Sequence, residues 1–144
     1  YERGPFACFE IVDPALGNRA DEAHWSTLQF SPDGKEIMIG TVMGSVYMVD
    51  SFDGFVKKQI SLYEPATSKT SLEVSYSPDG KYIVSGRPDR TVGLWNRESG
   101  KRVAELEGHA ELPTCVKFNP KYAMIASACR NVAFWIPDAD SNNK

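Results

Sequence analysis

A proline-containing turn between apolar segments recurs three times along this chain of 144 residues, and no other feature constrains the fold as strongly. The block reads Phe30-Ser-Pro-Asp-Gly-Lys35, then Tyr76-Ser-Pro-Asp-Gly-Lys81, then Phe118-Asn-Pro-Lys-Tyr122, so the aromatic residues stand 46 and 42 positions apart. Proline presets φ near about −65°, and glycine accepts the positive φ that a hairpin then requires. Each block follows alternating apolar residues and precedes an apolar run. A turn of this composition, repeated at this period, predicts the blades of a β-propeller.

Aligned on their aromatic residues, the three units predict the same strands. The first strands are Ser26 to Phe30, Leu72 to Tyr76 and Thr114 to Phe118, in which Leu28, Val74 and Val116 alternate with polar neighbours. Second strands follow at Glu36 to Gly40, Tyr82 to Gly86 and Met124 to Ala128, and third strands at Val46 to Asp50, Val92 to Asn96 and Val132 to Ile136. The second strands are continuous apolar runs, as expected where both faces are covered by adjacent blades. Fourth strands follow only twice, at Phe55 to Ile60 and Arg102 to Leu106. The third unit stops at Trp135-Ile-Pro137, while Phe6-Ala-Cys-Phe-Glu-Ile11 has the alternation of an orphan outer strand. The chain therefore divides into an outer strand (1–12), blade 1 (13–60), blade 2 (61–107), blade 3 without its own outer strand (108–137) and a polar tail (138–144). The expected architecture is all-β: three four-stranded blades forming a half ring, with the N-terminal strand completing the last. Two longer connections, Asp13 to His24 and Ser61 to Thr70, lie on the face where propellers present loops to partners.

Composition narrows the function. With 42% hydrophobic and 11% aromatic residues the chain can fill a core. Its formal charge of −3 and scattered basic residues argue against direct nucleic-acid binding. Three cysteines, Cys8, Cys115 and Cys129, form no CxxC pair, which suits a reducing compartment. No apolar run approaches the roughly 20 residues that span a bilayer, and no basic-then-apolar leader is seen, so no membrane partner is expected.

Val92-Gly-Leu-Trp-Asn96, the pair Gly108-His109, and Ser85 with Asp89 resemble the WD-repeat pattern, in which Gly-His opens a repeat and Trp-Asp closes its third strand. More specific are Cys115-Val-Lys-Phe-Asn-Pro-Lys121, Ala126-Ser-Ala-Cys-Arg-Asn-Val-Ala-Phe-Trp135, Gly4-Pro-Phe-Ala-Cys-Phe9 and Trp95-Asn-Arg-Glu-Ser-Gly100. Together they resemble the C-terminal half of the WD-repeat subunit shared by COMPASS-type histone-lysine methyltransferase complexes. The resemblance implies a nuclear scaffold propeller without catalytic activity or cofactor. It also implies protein partners: a methyltransferase subunit, a phosphatase-complex subunit and a phosphorylated polymerase tail, in transcription termination and messenger-RNA 3′-end processing. A WD-repeat substrate receptor of a ubiquitin ligase is the alternative within the same structural class.

The same resemblance assigns Ser85, Asp89, Trp95, His109, Ser127 and Trp135 to the hydrogen-bonded network that locks WD blades. That network is split here, because the second unit lacks a Gly-His before it and the third has its turn shortened to Arg130-Asn131. For contact with partners the candidates are Trp25, which precedes the first inner strand, and Arg87, Arg90 and Arg130 in tight turns facing the same way. Such a set suits an acidic or phosphorylated peptide. A small hydrolase is the remote alternative. It would have to use His109, claimed by the fold, or His24, which has no nucleophile elbow beside it, and two histidines give no metal-binding spacing.

Three blades sweep only about half a ring, which predicts two open blade faces, with residues such as Ile37, Ile39, Ile83, Val84, Met124 and Ile125 exposed. Pairing with a second copy would close a six-bladed ring as a homodimer, with Phe6 to Ile11 adding to the partner's strand around Val132 to Ile136.

Overall fold

The computed structural model describes residues 4–5, 7–11, 24–63 and 71–138, and among them every regular element is a strand. The expected connections 13–23 and 64–70 and the tail 139–144 lie outside the described residues. Eleven strands form three antiparallel sheets. The first sheet holds β1 (Trp25–Phe30), β2 (Glu36–Thr41), β3 (Ser45–Asp50) and β4 (Val56–Ser61), in that order. The second holds β5 (Val74–Tyr76), β6 (Tyr82–Gly86), β7 (Val92–Asn96) and β8 (Arg102–Leu106), and the third β9 (Cys115–Phe118), β10 (Ile125–Ala128) and β11 (Val132–Trp135). Each sheet is a meander, as a blade must be, and the all-β expectation holds.

The repeated turns are built by one local mechanism. Ser31 Oγ donates to Asp33 Oδ1 at 2.6 Å and accepts from the Glu36 N–H at 3.0 Å, while the Gly34 N–H returns to the Ser31 carbonyl at 2.8 Å. Ser77, Asp79, Tyr82 and Gly80 repeat this at 2.6, 2.9 and 2.9 Å, and both glycines sit near φ +70°. In the third block Asn119 Oδ1 alone takes the Lys121 and Tyr122 N–H groups.

What joins the sheets is face-to-face packing in a repeated register. On one face of the second sheet Tyr76, Ile83 and Trp95 lie side by side across three strands, and they bury against Met38, Val46, Met48 and Ile60 of the first sheet. The third sheet repeats the row as Phe118, Ile125 and Trp135, packed on Val84, Val92, Leu94 and Leu106 of the second. Deleting an aromatic side chain from such a row costs about 3–5 kcal/mol. Polar ties flank both seams. Arg97 reaches Glu36 at 2.5 Å and the Gly80 carbonyl at 3.2 Å, whereas Glu73 accepts from the Val116 N–H at 3.1 Å and pairs with Lys117 at 2.7 Å.

Three expectations require correction. Residues 7–11 form no strand, and they do not complete the third sheet, which stays three-stranded. Ile11 instead packs with Ile39, Tyr47 and Val49 on the first sheet, and Phe9 lies over Gly54, on a face that no other described sheet covers. Phe6 lies outside the described residues. The segment expected to add to a second copy's last strand is thus engaged on its own first sheet. Secondly, Leu28 does not share the burial of Val74 and Val116: it is 64% exposed. Thirdly, Ile83, Val84 and Ile125 lie in the seams, and Ile39 is buried beneath Ile11. The exposed apolar groups at the two ends are Leu28 and Phe30 on one, and Val132, Phe134 and Ile136 on the other.

Two substitutions probe the seams. A Cβ at Gly86 would sit 1.8 Å from the carbonyl oxygen of Pro113, whose ring fills the joint between the second and third blades. Gly86→Ala should therefore lower stability by about 2 kcal/mol or more, read from the denaturation midpoint. Tyr76 carries a buried hydroxyl without a hydrogen-bond partner, and burial pushes its pKa from 10.0 up to about 12. Its folded-state pKa is raised, so stability is intact below pH 10 and falls as pH climbs from 10 toward 12. Tyr76→Phe should leave neutral-pH stability unchanged or higher and reduce that alkaline loss in pH-dependent melts.

Candidate protein-binding surface

In an antiparallel meander the start of the first strand and the turn between the second and third strands lie at the same end. Trp25 opens β1, Arg87 and Arg90 lie in the β6–β7 turn, and Arg130 lies in the β10–β11 turn. The topology therefore brings the four candidate contact residues to the same end of their blades. Backbone bonds from the Val42 N–H to the His24 carbonyl and from the Glu73 N–H to the Thr114 carbonyl, both 3.0 Å, tie that end together.

The four differ in what remains free. Trp25 is 47% exposed and rests edge-on against Tyr47, with ring centroids 5.7 Å apart. Arg90 stands at φ 72°, is exposed, and makes no ion pair among the described residues. Arg130 is exposed and reaches Glu111 at 3.0 Å, an exposed pair of a kind worth little in water. Arg87 is committed to the fold. Its guanidinium bonds Asp89 at 2.7 Å, Glu105 at 3.0 Å and Thr91 at 3.1 Å, which fastens the turn to β8.

The network residues divide by blade. In the third, the Trp135 indole N–H donates to Ser127 Oγ at 2.7 Å, and Ser127 lies 2.6 Å from His109 Nε2. With the indole proton already on its oxygen, the serine hydroxyl has His109 Nε2 as its acceptor. On that pattern the imidazole proton is assigned to Nδ1, 3.2 Å from Cys129 Sγ. His109, Ser127 and Trp135 thus form the expected chain. Its fourth member, Cys129, was not legible in the sequence, where only its position two residues past Ser127 in a shortened turn hinted at it.

In the second blade the chain does not form. With no histidine offered, Ser85 Oγ turns to the backbone carbonyls of Glu73 and Gly86 at 3.1 and 3.0 Å. Asp89 holds Thr91 through N–H and hydroxyl, and its carboxyl stays below the usual range because these bonds and Arg87 outweigh its partial burial. Trp95 is 2% exposed and folds back over Gly93, whose missing side chain leaves room for the indole. Glu73 and Glu105, which organise the seam and the turn, also went unread, since a lone strand glutamate has no local signature.

Ser127 beside His109 has the composition of a hydrolytic pair, but Ser127 is 2% exposed and bonded on both sides. A nucleophile needs a path to substrate, and this oxygen has none. Among the described residues no three metal-ligating side chains converge.

Blades built this way, with an inner strand, a Gly-His loop and a tryptophan closing the third strand, define a repeat-propeller protein. Residues 60–96 and 100–135 match the WD domain, G-beta repeat, and the chain belongs to that WD40 family. The chain is 40% identical over 141 residues to WD repeat-containing protein 82 of Drosophila melanogaster, an alignment covering 97% of this chain and 42% of that protein. It is 26% identical over 148 residues to the COMPASS component SWD2 of Saccharomyces cerevisiae, covering 95% of this chain and 43% of that one. The chain therefore spans less than half the length of these relatives. Among solved structures, the RRP9 WD40 repeats superpose with a TM-score of 0.69 at 20% identity, over 79% of this chain and 36% of that one, which establishes the fold.

Removing the central hydroxyl tests the network. Ser127→Ala strands the Trp135 N–H and the imidazole together, and should cost about 1–3 kcal/mol, more than Ser85→Ala, which frees only carbonyls that can regain water. Chemical denaturation of the two variants, followed by tryptophan fluorescence, provides the comparison.

Proposed function

We propose that this chain is part of a non-catalytic WD-repeat scaffold of a COMPASS-type histone-lysine methyltransferase assembly, acting in the nucleus and also in transcription termination and messenger-RNA 3′-end processing. The observation that carries the reading is its similarity over almost its whole length to WD repeat-containing protein 82 and to a COMPASS component. The half-buried network agrees with it, since these polar groups of the third blade are spent on holding the blade.

The partners are proteins: a methyltransferase subunit, a phosphatase-complex subunit and the phosphorylated polymerase tail. Trp25 supplies a half-exposed aromatic anchor, and Arg90 and Arg130 the planar cations that grip phosphate in bidentate fashion. Arg87 serves that surface indirectly, by fixing the turn that carries Arg90.

Affinity purification of the protein from nuclear extract with mass spectrometry tests the assembly: a SET-domain methyltransferase or phosphatase subunits support the reading, and a cullin adaptor would replace it with the ubiquitin-ligase receptor. For the surface, the double variant Arg90→Glu, Arg130→Glu should bind a serine-phosphorylated polymerase-tail peptide about tenfold or more weaker in fluorescence anisotropy, with an unchanged melting curve. Wild-type affinity in that variant would remove the arginines from the interface.

A further inference from the structure

We propose that Cys129 is a modification site: a nucleophilic thiol, held by His109 at the partner-facing end of the last blade, that exchanges with small disulfides. The cysteine is not isolated. Trp135, Ser127 and His109 form a relay whose hydrogen bonds all run toward it, and the relay ends with the Nδ1–H donor 3.2 Å from Sγ. The thiol's own proton has a weaker outlet, the Asn131 carbonyl at 3.9 Å, while with the imidazole proton assigned to Nδ1 the sulfur accepts at 3.2 Å. A donor close to sulfur, with only a long contact for the sulfur's own proton, favours the thiolate.

The other groups around Sγ act in known directions. The Asn131 backbone N–H, and after it those of Glu111 and Arg130, favour the anion, desolvation and the Glu111 carboxylate oppose it, and Arg130 draws that carboxylate to itself at 3.0 Å. Their balance leaves the Cys129 pKa below the ordinary thiol value. Partial exposure at the turn gives the sulfur access to solutes.

In the reaction the Cys129 thiolate attacks one sulfur of a low-molecular-weight disulfide. A new S–S bond forms, the original one breaks, and the departing thiolate takes a proton from water, so no external oxidant is required. The product is a mixed disulfide with the small thiol. Cys115 cannot resolve it internally, because it alternates with Val116, which is opposite Ser127, and so points to the other face of the sheet. Once modified, the sulfur is a poorer acceptor for the His109 proton, and the relay that holds Trp135 is loosened.

The test follows each cysteine of the full chain by peptide mass spectrometry during reaction with 5,5′-dithiobis(2-nitrobenzoate) across a pH series. Cys129 should react about tenfold or more faster than Cys8 and Cys115 at pH 7, with its rate profile displaced to lower pH. His109→Phe should bring its rate down to that of Cys115. Cys129→Asp, which keeps an acceptor for Nδ1–H, should preserve the melting temperature and make it insensitive to the disulfide. If His109→Phe fails to fold, the wild-type pH profile decides alone. Equal rates for the three cysteines, or an undisplaced profile for Cys129, would overturn the proposal.

Discussion

Everything in this chain depends on laying one sheet's face against the next. A four-stranded meander has two faces and too few residues to shield either, so each blade is stable only as far as a neighbour covers it. The rows Tyr76, Ile83, Trp95 and Phe118, Ile125, Trp135 show how the cover is standardised: an aromatic on the inner strand, an isoleucine on the second and a tryptophan on the third. The equivalent row in the first blade is Phe30, Ile37 and Val49, with no tryptophan and no described sheet packed on it. Phe30 and Leu28 are accordingly exposed there, and Phe9 and Ile11 cover part of what is left.

That dependence explains what could be read from the sequence. The Ser-Pro-Asp-Gly turns were legible because their mechanism is local: serine, aspartate and glycine contact one another within a few residues, and the strands on either side then follow. The third strands were legible for a related reason, since Val92 and Val132 each open an apolar segment closing on a tryptophan. Residues 7–11 were misread because alternation reports amphipathicity without naming the sheet edge or face that satisfies it. The seam assignments of Ile83, Val84 and Ile125 likewise depend on which sheets adjoin, and a strand's own residues do not encode that.

Charge placement follows a second rule. At the blade end that carries Trp25 and the turn arginines, charged groups are spent on holding the fold, Arg87 on Asp89 and Glu105, and Glu73 on Lys117 and a backbone N–H. A surface read from residue type alone counts such groups as contacts. Subtracting those whose donors are already paired leaves Arg90 and the loosely held Arg130, with Trp25 as the apolar element.

The relay in the last blade shows how shortening one turn changes chemistry without changing fold. In the second blade the turn between Arg87 and Thr91 holds Asp89, whereas in the third the Cys129 N–H donates to the Asn131 carbonyl and closes a shorter turn. A buried serine bonded to a half-buried tryptophan still requires the imidazole to be oriented, and an imidazole whose Nε2 accepts must present Nδ1–H to something. Sulfur fills that place. As a neutral thiol it is a weak acceptor, and as a thiolate a strong one, so the orientation of the last blade's tryptophan is coupled to the ionisation and covalent state of a single side chain. A carboxylate in the same place would hold the relay across the physiological pH range and react with nothing; cysteine makes the outermost described blade the one whose internal bonding responds to its chemical surroundings.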